Sequence, residues 1–349
     1  MVTIVPDVYR SEEVGNLPNS VRLRQLSPDD APPWFLPGGD LWTERLISAA
    51  LDLAQDESPD LVEANYLAPY GIAAFVAARL LGVPLVVRHA GSDLAKLLNW
   101  LRVRRGLAAL LAGADVVATT PDAVPRLPDR SAAVGTLVEL PRYVADPHAF
   151  TPARALPSGH RVLLAGKLNY HWRLKALDTL AAALALRPNW ELAAVADGKG
   201  RESFEAEVRG RGLTDRVHRR SFVPPDSVPA LLSEATAVWA VERQGGIPDF
   251  SNMVWEALAT GRPCLVAAAA AEHPDAALLR RSAALLVVDP DDPASVAAAL
   301  DKATSMPAGD PPAGLSEAFD AYMEASASLY FGATHASGVH RGRAREGKR

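Results

Sequence analysis

Short apolar runs alternate with helix-periodic stretches twice along this chain, and that double alternation constrains the fold more than any other feature. In the first pass, residues 41–55, 70–81 and 94–111 carry helical spacing, and 60–64, 84–88 and 114–119 are short strand candidates. The run at 84–88 is apolar until Arg88, with two valines in its middle, so it suits a strand covered on both faces. Periodicity stops at 141–159, where Pro141, Pro147, Pro152 and Pro157 suggest an interdomain linker. It then restarts, with strands expected at 161–165, 190–196, 217–222, 237–241, 263–266 and 284–288. Helices are expected at 174–186, 203–212, 227–234, 252–260 and 293–303. Parallel strands need a crossover, and helices are the usual one, so each pass reads as a set of βαβ units.

At 349 residues the chain fits two domains of middling size. The expected division is a first α/β domain over 1–150, abbreviated at its start, and a second over 151–330. A basic, disordered tail is expected over 331–349. The first forty residues read as one short strand at 2–5 followed by loops rich in Pro, Asp and Asn. The hydrophobic share of 49% and charged share of 22% exclude wholesale disorder. A net charge of −5 argues against a dedicated nucleic-acid partner. Cys264 is the one cysteine, which rules out an internal disulfide and a cysteine-rich zinc site and makes a reducing cytoplasm the simplest compartment. The apolar run at 264–271 is far below the roughly 20 residues that span a bilayer. Asp7, Glu12 and Glu13 argue against a signal peptide.

Five stretches carry chemistry. They are SPDLVEANYLAPYGIAAFVAARLLGVPLVVRHAGSDL (58–94), VLLAGKLNYHWRLKALDTL (162–180), RSFVPPDSVPALLSEATAVW (220–239), PDFSNMVWEALATGRPCLVA (248–267) and ALLVVDPDDPASVAAAL (284–300). In this order and spacing they resemble a family 4-type retaining glycosyltransferase of the GT-B fold, over about 36–303. The resemblance implies an α/β chain of two Rossmann-like, doubly wound domains facing each other across a cleft, the first (1–150) acceptor-side and the second (151–330) donor-binding. It also implies a nucleotide-diphosphate sugar as co-substrate, with no other cofactor and no metal.

Breaking a sugar–diphosphate bond leaves negative charge on the phosphate, and charge positioned to meet it is usually the largest catalytic term. Gly166 lets the backbone come close to a phosphate, and Lys167 supplies a cation where the family usually has arginine. Lys175 matches the family's second cation, although the inserted 169–173 lengthens the spacing and makes Arg173 a competitor for that place. Ser251 can cap a helix starting near Asn252, aiming free amides at phosphate. Glu256 corresponds to the second of the family's paired glutamates, which holds the ribose hydroxyls. The first falls at Pro248, and two readings follow: Asp249 takes over the donor-sugar contact, or backbone amides near Phe250 and Ser251 do.

On the acceptor side, Arg88, His89 and Asp93 lie at or just beyond a strand's carboxyl end. His89 stands one residue ahead of the family's histidine, so its side chain either contacts the sugar or serves the core. Gly38 and Gly39 resemble the glycine pair near the diphosphate. The turn at 197–202 resembles the family's Gly-Asp-Gly turn without its first glycine, and reads either as a phosphate-binding turn or as a tight strand-to-helix connection, the second being favoured. Lys96, Trp100, Arg102, Arg104 and Arg105 give the stretch 94–111 either a solvated basic face or a contact with anionic lipid at the inner membrane face.

The expected activity is metal-independent transfer, with retention, of a hexosyl-type group from a nucleotide-diphosphate sugar to a glycan, lipid-linked or small-molecule acceptor. Lys167, Lys175 and His89 are the candidate catalytic residues. The alternatives are a sugar-nucleotide epimerase of the same fold and a non-catalytic nucleotide-binding partner subunit.

Overall fold

The computed structural model describes the chain except at residues 7–19, 27–40, 90–92, 95–96, 99, 122, 128–135, 142, 153–156, 158, 169–171, 222, 244–250, 273–278, 280–281 and 347–349. The described residues divide into two compact units. One takes the residues up to 141 together with those from 321 onward, and the other takes 143–320. The division falls near 142, where a boundary near 150 was expected, and 321–330 cluster with the first unit rather than ending the second.

In the first unit, β1 (Val2–Pro6) and β2 (Arg22–Leu26) form a parallel pair. A separate parallel sheet has the order β3 (Val62–Asn65), β4 (Leu85–Arg88), β5 (Val116–Thr119) and β6 (Thr136–Glu139). Helices α1 (Trp42–Asp56), α2 (Ile72–Leu81) and α3 (Leu101–Gly113) connect them. Side chains of a strand alternate between faces, and the core follows that alternation. Ala64, Leu85, Val87 and Val117 join Ala74 and Ala78 of α2 and Leu107, Leu110 and Leu111 of α3 in one cluster. Val86, Val116 and Ala118 point the other way and join Leu140 and Leu329.

That second face explains the largest departure from expectation. Residues 331–349 do not begin as a disordered tail: one helix, α10, runs from Leu315 to Glu346. Alanine, glutamate and arginine in its sequence favour helix. At Leu329 and Ala325 it also lends apolar groups to the face of β4 and β5 that α2 and α3 leave open. Two further strands, β2 and β6, lie where loops or no element were expected. In β2 the alternation Arg22, Leu23, Arg24 was masked by the polar, proline-rich surroundings.

In the second unit the parallel sheet has the order β12-β11-β10-β7-β8-β9. Its strands are β7 (Arg161–Lys167), β8 (Glu191–Asp197), β9 (Val217–Arg220), β10 (Ala237–Trp239), β11 (Cys264–Ala267) and β12 (Leu285–Val288). Counted from its own first strand this is 6-5-4-1-2-3, the Rossmann order read from the opposite edge. Leu164, Ala194, Trp239 and Leu265 pack with α4 (Leu177–Ala185), α5 (Arg201–Gly210) and α9 (Pro293–Ser305). Leu163, Val195, Val238 and Val266 pack on the other face, with Leu232 of α6 (Val228–Ser233) and with α7 (Asn252–Ala259). The short α8 (Ala268–Ala271) follows β11. Both faces are covered, as a run of apolar strands requires. Cys264 is fully buried in β11, where desolvation pushes its thiol up. Each unit is therefore the expected Rossmann-like parallel α/β layer structure.

Candidate functional site

Strand order places the site. In a doubly wound sheet, ligands bind beyond the carboxyl ends of the strands where the order reverses. In the second unit that point lies between β7 and β10, neighbours in the sheet. β7 extends past the expected residue 165, so Gly166 and Lys167 are its last two residues. Gly166 has φ 153, a conformation that disfavours side chains. A Cβ added there would lie 3.2 Å from the Lys175 Nζ. Glycine is thus needed twice, for its backbone and for the room it leaves an ammonium group.

Lys175 was expected one residue into a helix beginning at 174. Instead a 3-10 turn spans Trp172–Lys175, Ala176 takes a left-handed conformation at φ 48, and α4 starts only at Leu177. This bend returns the lysine to the end of β7. Burial lowers the Lys175 ammonium below the ordinary lysine range. Glu242, just beyond β10, pulls it back up, and Lys167 lowers it further. The site therefore holds two lysines within electrostatic reach, one of them partly desolvated, with the Glu242 carboxylate also acting on Lys175. It is suited to an anion, whose arrival relieves both the repulsion and the desolvation.

Arg173 does not share this place, contrary to expectation. Its guanidinium stacks on Trp172 at 4.4 Å and pairs with Glu207 of α5 at 3.5 Å. The 3-10 turn is the reason: it sends consecutive side chains to different sides. Arg173 lines an open polar hollow of about 550 Å³ with Ser203, Ala206, Glu207, Gly210 and Arg211.

Ser251 caps α7 as expected, its hydroxyl accepting from the Met253 amide at 3.3 Å. Asn252 opens the helix and is exposed. Glu256 lies one turn further, between the buried Trp255 and Ala257, and desolvation pushes its carboxyl up to about 7. A glutamate that holds its proton near neutrality is poised to change state when hydroxyl donors arrive. Asp249, Phe250 and Pro248 lie outside the described residues, as do Gly38 and Gly39. The turn at 198–200 is the tight connection expected: Gly198 has φ 144 and the Gly200 amide donates to the Leu168 carbonyl at 2.9 Å.

In the first unit, Arg88 is committed to structure rather than to a ligand. Its Nε lies 2.7 Å from Glu63 Oε1, and its Nη2 donates to the Tyr330 hydroxyl at 3.0 Å. That hydroxyl donates to Glu63 Oε2 at 2.8 Å, and burial and this bond raise it to about 12. Asp93 is also internal. It is 5% exposed and accepts from the Leu67 amide at 2.8 Å, fixing the chain after β3. His89 follows β4, and its Nε2 is 2.6 Å from the Thr119 hydroxyl at the end of β5. The stretch 94–111 is not one helix. Trp100 is extended (φ −87, ψ 104) and α3 begins after it. Leu94, Leu98, Leu107 and Leu111 fill one core from two segments, so their spacing never required continuity.

Sequence reasoning passed over Glu242 and Arg243. The available signal was a charged pair directly following an apolar strand, AVWAV, at the reversal of strand order. Among the described residues, no three His, Cys, Asp or Glu side chains are grouped to hold a metal ion. No helix among them is long and apolar enough to cross a membrane.

Against this geometry, residues 159–305 match a family model described as "Glycosyl transferases group 1". No curated protein matches the chain by sequence. Sucrose-phosphate synthase from Thermosynechococcus elongatus is similar in structure, with TM-score 0.60 and 19% identity, over 99% of this chain and 88% of that one. Anabaena HepE, solved in complex with UDP and glucose, gives TM-score 0.57 and 17% identity over 88% and 82%. The α,α-trehalose-phosphate synthase (UDP-forming) from Burkholderia vietnamiensis gives 0.56 and 15% over 98% and 94%. The chain thus has the α/β fold of GT-B glycosyltransferases, and its second unit is similar in sequence to group 1 glycosyl transferases.

Proposed function

We propose that the chain is a retaining, metal-independent glycosyltransferase that takes a hexosyl group from a nucleoside-diphosphate sugar. The observation that carries this reading is the placement of Lys167 and Lys175 at the strand-order reversal, over a glycine that leaves room for the second ammonium. In the reaction, the bond from the anomeric carbon to the phosphate oxygen breaks. The acceptor oxygen bonds to that carbon on the same face, and the acceptor proton passes to the departing phosphate oxygen. Lys167 and Lys175 stabilise the charge on the leaving diphosphate. Glu256 accepts the ribose hydroxyls, and the amides of 251 and 252 face phosphate. The acceptor is bound by the first unit. The UDP held by Anabaena HepE makes a uridine donor the first to try.

A melting-temperature panel of nucleoside diphosphates and sugar nucleotides tests the donor site. A ligand bound only by the native state raises the melting point by mass action. One member, with UDP tried first, should give a shift of several degrees that Lys167→Ala removes. A full shift in that variant would place the diphosphate elsewhere. Turnover of the same sugar nucleotide separates transfer to an added acceptor from epimerisation and from binding alone.

We also propose that the start of α3 touches anionic lipid, from a reducing cytoplasm. Trp100 and Leu101 are 53% and 79% exposed, and Arg102, Arg104 and Arg105 are exposed beside them. An apolar pair flanked by cations suits a headgroup boundary. The protein should sediment with phosphatidylglycerol vesicles and not with phosphatidylcholine ones, and Trp100→Ser with Leu101→Ser should abolish it. Equal sedimentation by the doubly substituted protein would dismiss this surface.

A further inference from the structure

Three consecutive backbone carbonyls of the turn that carries Lys175 are bonded from just beyond the end of β10 or from its last residue. The Arg173 carbonyl accepts from Arg243 Nη1. The Leu174 carbonyl accepts from the Arg243 amide at 2.7 Å. The Lys175 carbonyl accepts from Trp239 Nε1 at 2.8 Å. Within the turn the Arg173 carbonyl also accepts from the Ala176 amide at 3.0 Å, and the acceptor capacity left over in so short a turn must be met from outside it. Arg243 does more than take two. Its Nη1 also donates to Asp178 Oδ1 at 2.7 Å, its Nη2 to Thr179 Oγ1 at 2.7 Å, and its Nε to Asp291 Oδ1 at 2.6 Å. One guanidinium therefore joins both sides of the left-handed Ala176, the residues before it and the first turn of α4 after it.

This arrangement is specific to an arginine. Its planar fork reaches two neighbouring groups at fixed angles, whereas a lysine presents a single mobile point. Its position also separates it from the anion. All three nitrogens of the guanidinium are engaged by the turn, α4 and Asp291, while the Lys175 Nζ turns back over Gly166. We infer that Arg243 is a positioning residue for Lys175: it holds the 172–176 turn in the shape that returns the lysine's ammonium to the end of β7. The inference rests on the reading that this ammonium meets the donor diphosphate. A displacement of about 1 Å in such a group is enough to lose much of its effect.

The test is a cycle of Lys175→Met and Arg243→Gln on the whole chain, with UDP as the probe in calorimetric titration. Each single variant should bind UDP about tenfold more weakly. The double variant should bind no more weakly than Lys175→Met, because Arg243 acts only through the lysine. Arg243→Lys keeps the charge and should recover less than half of the loss on a logarithmic scale. Losses that multiply, or full recovery by Arg243→Lys, overturn the inference. So does an Arg243→Gln variant that binds like wild type while Lys175→Met does not. If Lys175→Met itself binds UDP normally, the donor-site reading fails, and the inference with it. Should Arg243→Gln not fold, Asp178→Asn removes one partner of the fork. It should show a two- to threefold loss that disappears in the Lys175→Met background, and a loss that persists there overturns the inference.

Discussion

Lys175→Met should lower sugar transfer by about 10²–10³-fold, the usual consequence of removing one group that stabilises developing charge. The effect should fall on kcat at least as much as on KM, because the charge on the diphosphate grows as the glycosidic bond breaks. The lowered ammonium of Lys175 adds a pH signature. An arriving diphosphate favours the charged lysine, so the complex should take up protons at alkaline pH, and transfer should decline there as the lysine loses its charge. Lys167, Glu242 and the ligand phosphates all bear on that charge, so the decline belongs to the group of them. Steady-state rates across pH in wild type and Lys175→Met check this. A variant with wild-type rate, or one that keeps the same alkaline decline, would remove Lys175 from the mechanism.

Glu256→Gln should make the protein more stable above neutrality while weakening donor binding. The folded carboxyl keeps its proton up to about 7, while its ordinary value is 4.5. Between those values the folded state binds more protons than the unfolded state, so stability falls as pH rises and levels off beyond the upper one. Below the ordinary value both states are protonated and the cost vanishes. At about 1.4 kcal/mol per pH unit of displacement, the ionised glutamate costs roughly 3 kcal/mol of stability at pH 8. Glutamine keeps the shape without the charge, so its melting point should exceed wild type by several degrees at pH 8 and match it near pH 4. A constant difference across that range would show that burial of charge is not the cause. Such a cost is commonly kept where a buried carboxylate serves a ligand. UDP-glucose is a suitable binding probe, since its phosphates do not titrate over this range. If the ribose hydroxyls donate to the carboxylate, wild-type affinity should improve as pH rises through 7, and the glutamine variant should not follow.

Most of the fold was legible because buried parallel strands announce themselves. Runs such as Leu85–Val87 and Cys264–Ala267 have no polar alternation, and glycine at 82 ends its helix in the left-handed conformation. Strand order was not legible, since the same alternation of elements is compatible with several orders. It is the order that brings Glu242 and Arg243 to the site. Two of the misassigned polar residues share one cause. Arg88 and Asp93 occupy positions where α/β proteins often place ligand contacts, yet their partners, Tyr330 and the Leu67 amide, are distant in sequence. Arg173 was misplaced by a 3-10 turn that helical spacing does not foresee. The cap at Ser251 was legible because capping is a local property of α7.

The Tyr330 hydroxyl also bears on the order of events at the ribosome. Glu63 and Arg88 leave the exit tunnel 267 and 242 residues ahead of the tyrosine that joins them. The open face of β4 and β5 likewise waits for Leu329. The six-stranded sheet, with all its strands made before residue 289, is free to close first. The half of the protein that is synthesised earliest is therefore the last to be sealed, and a chain cut short near its end leaves that half with an uncovered apolar surface and an unanswered arginine–glutamate pair.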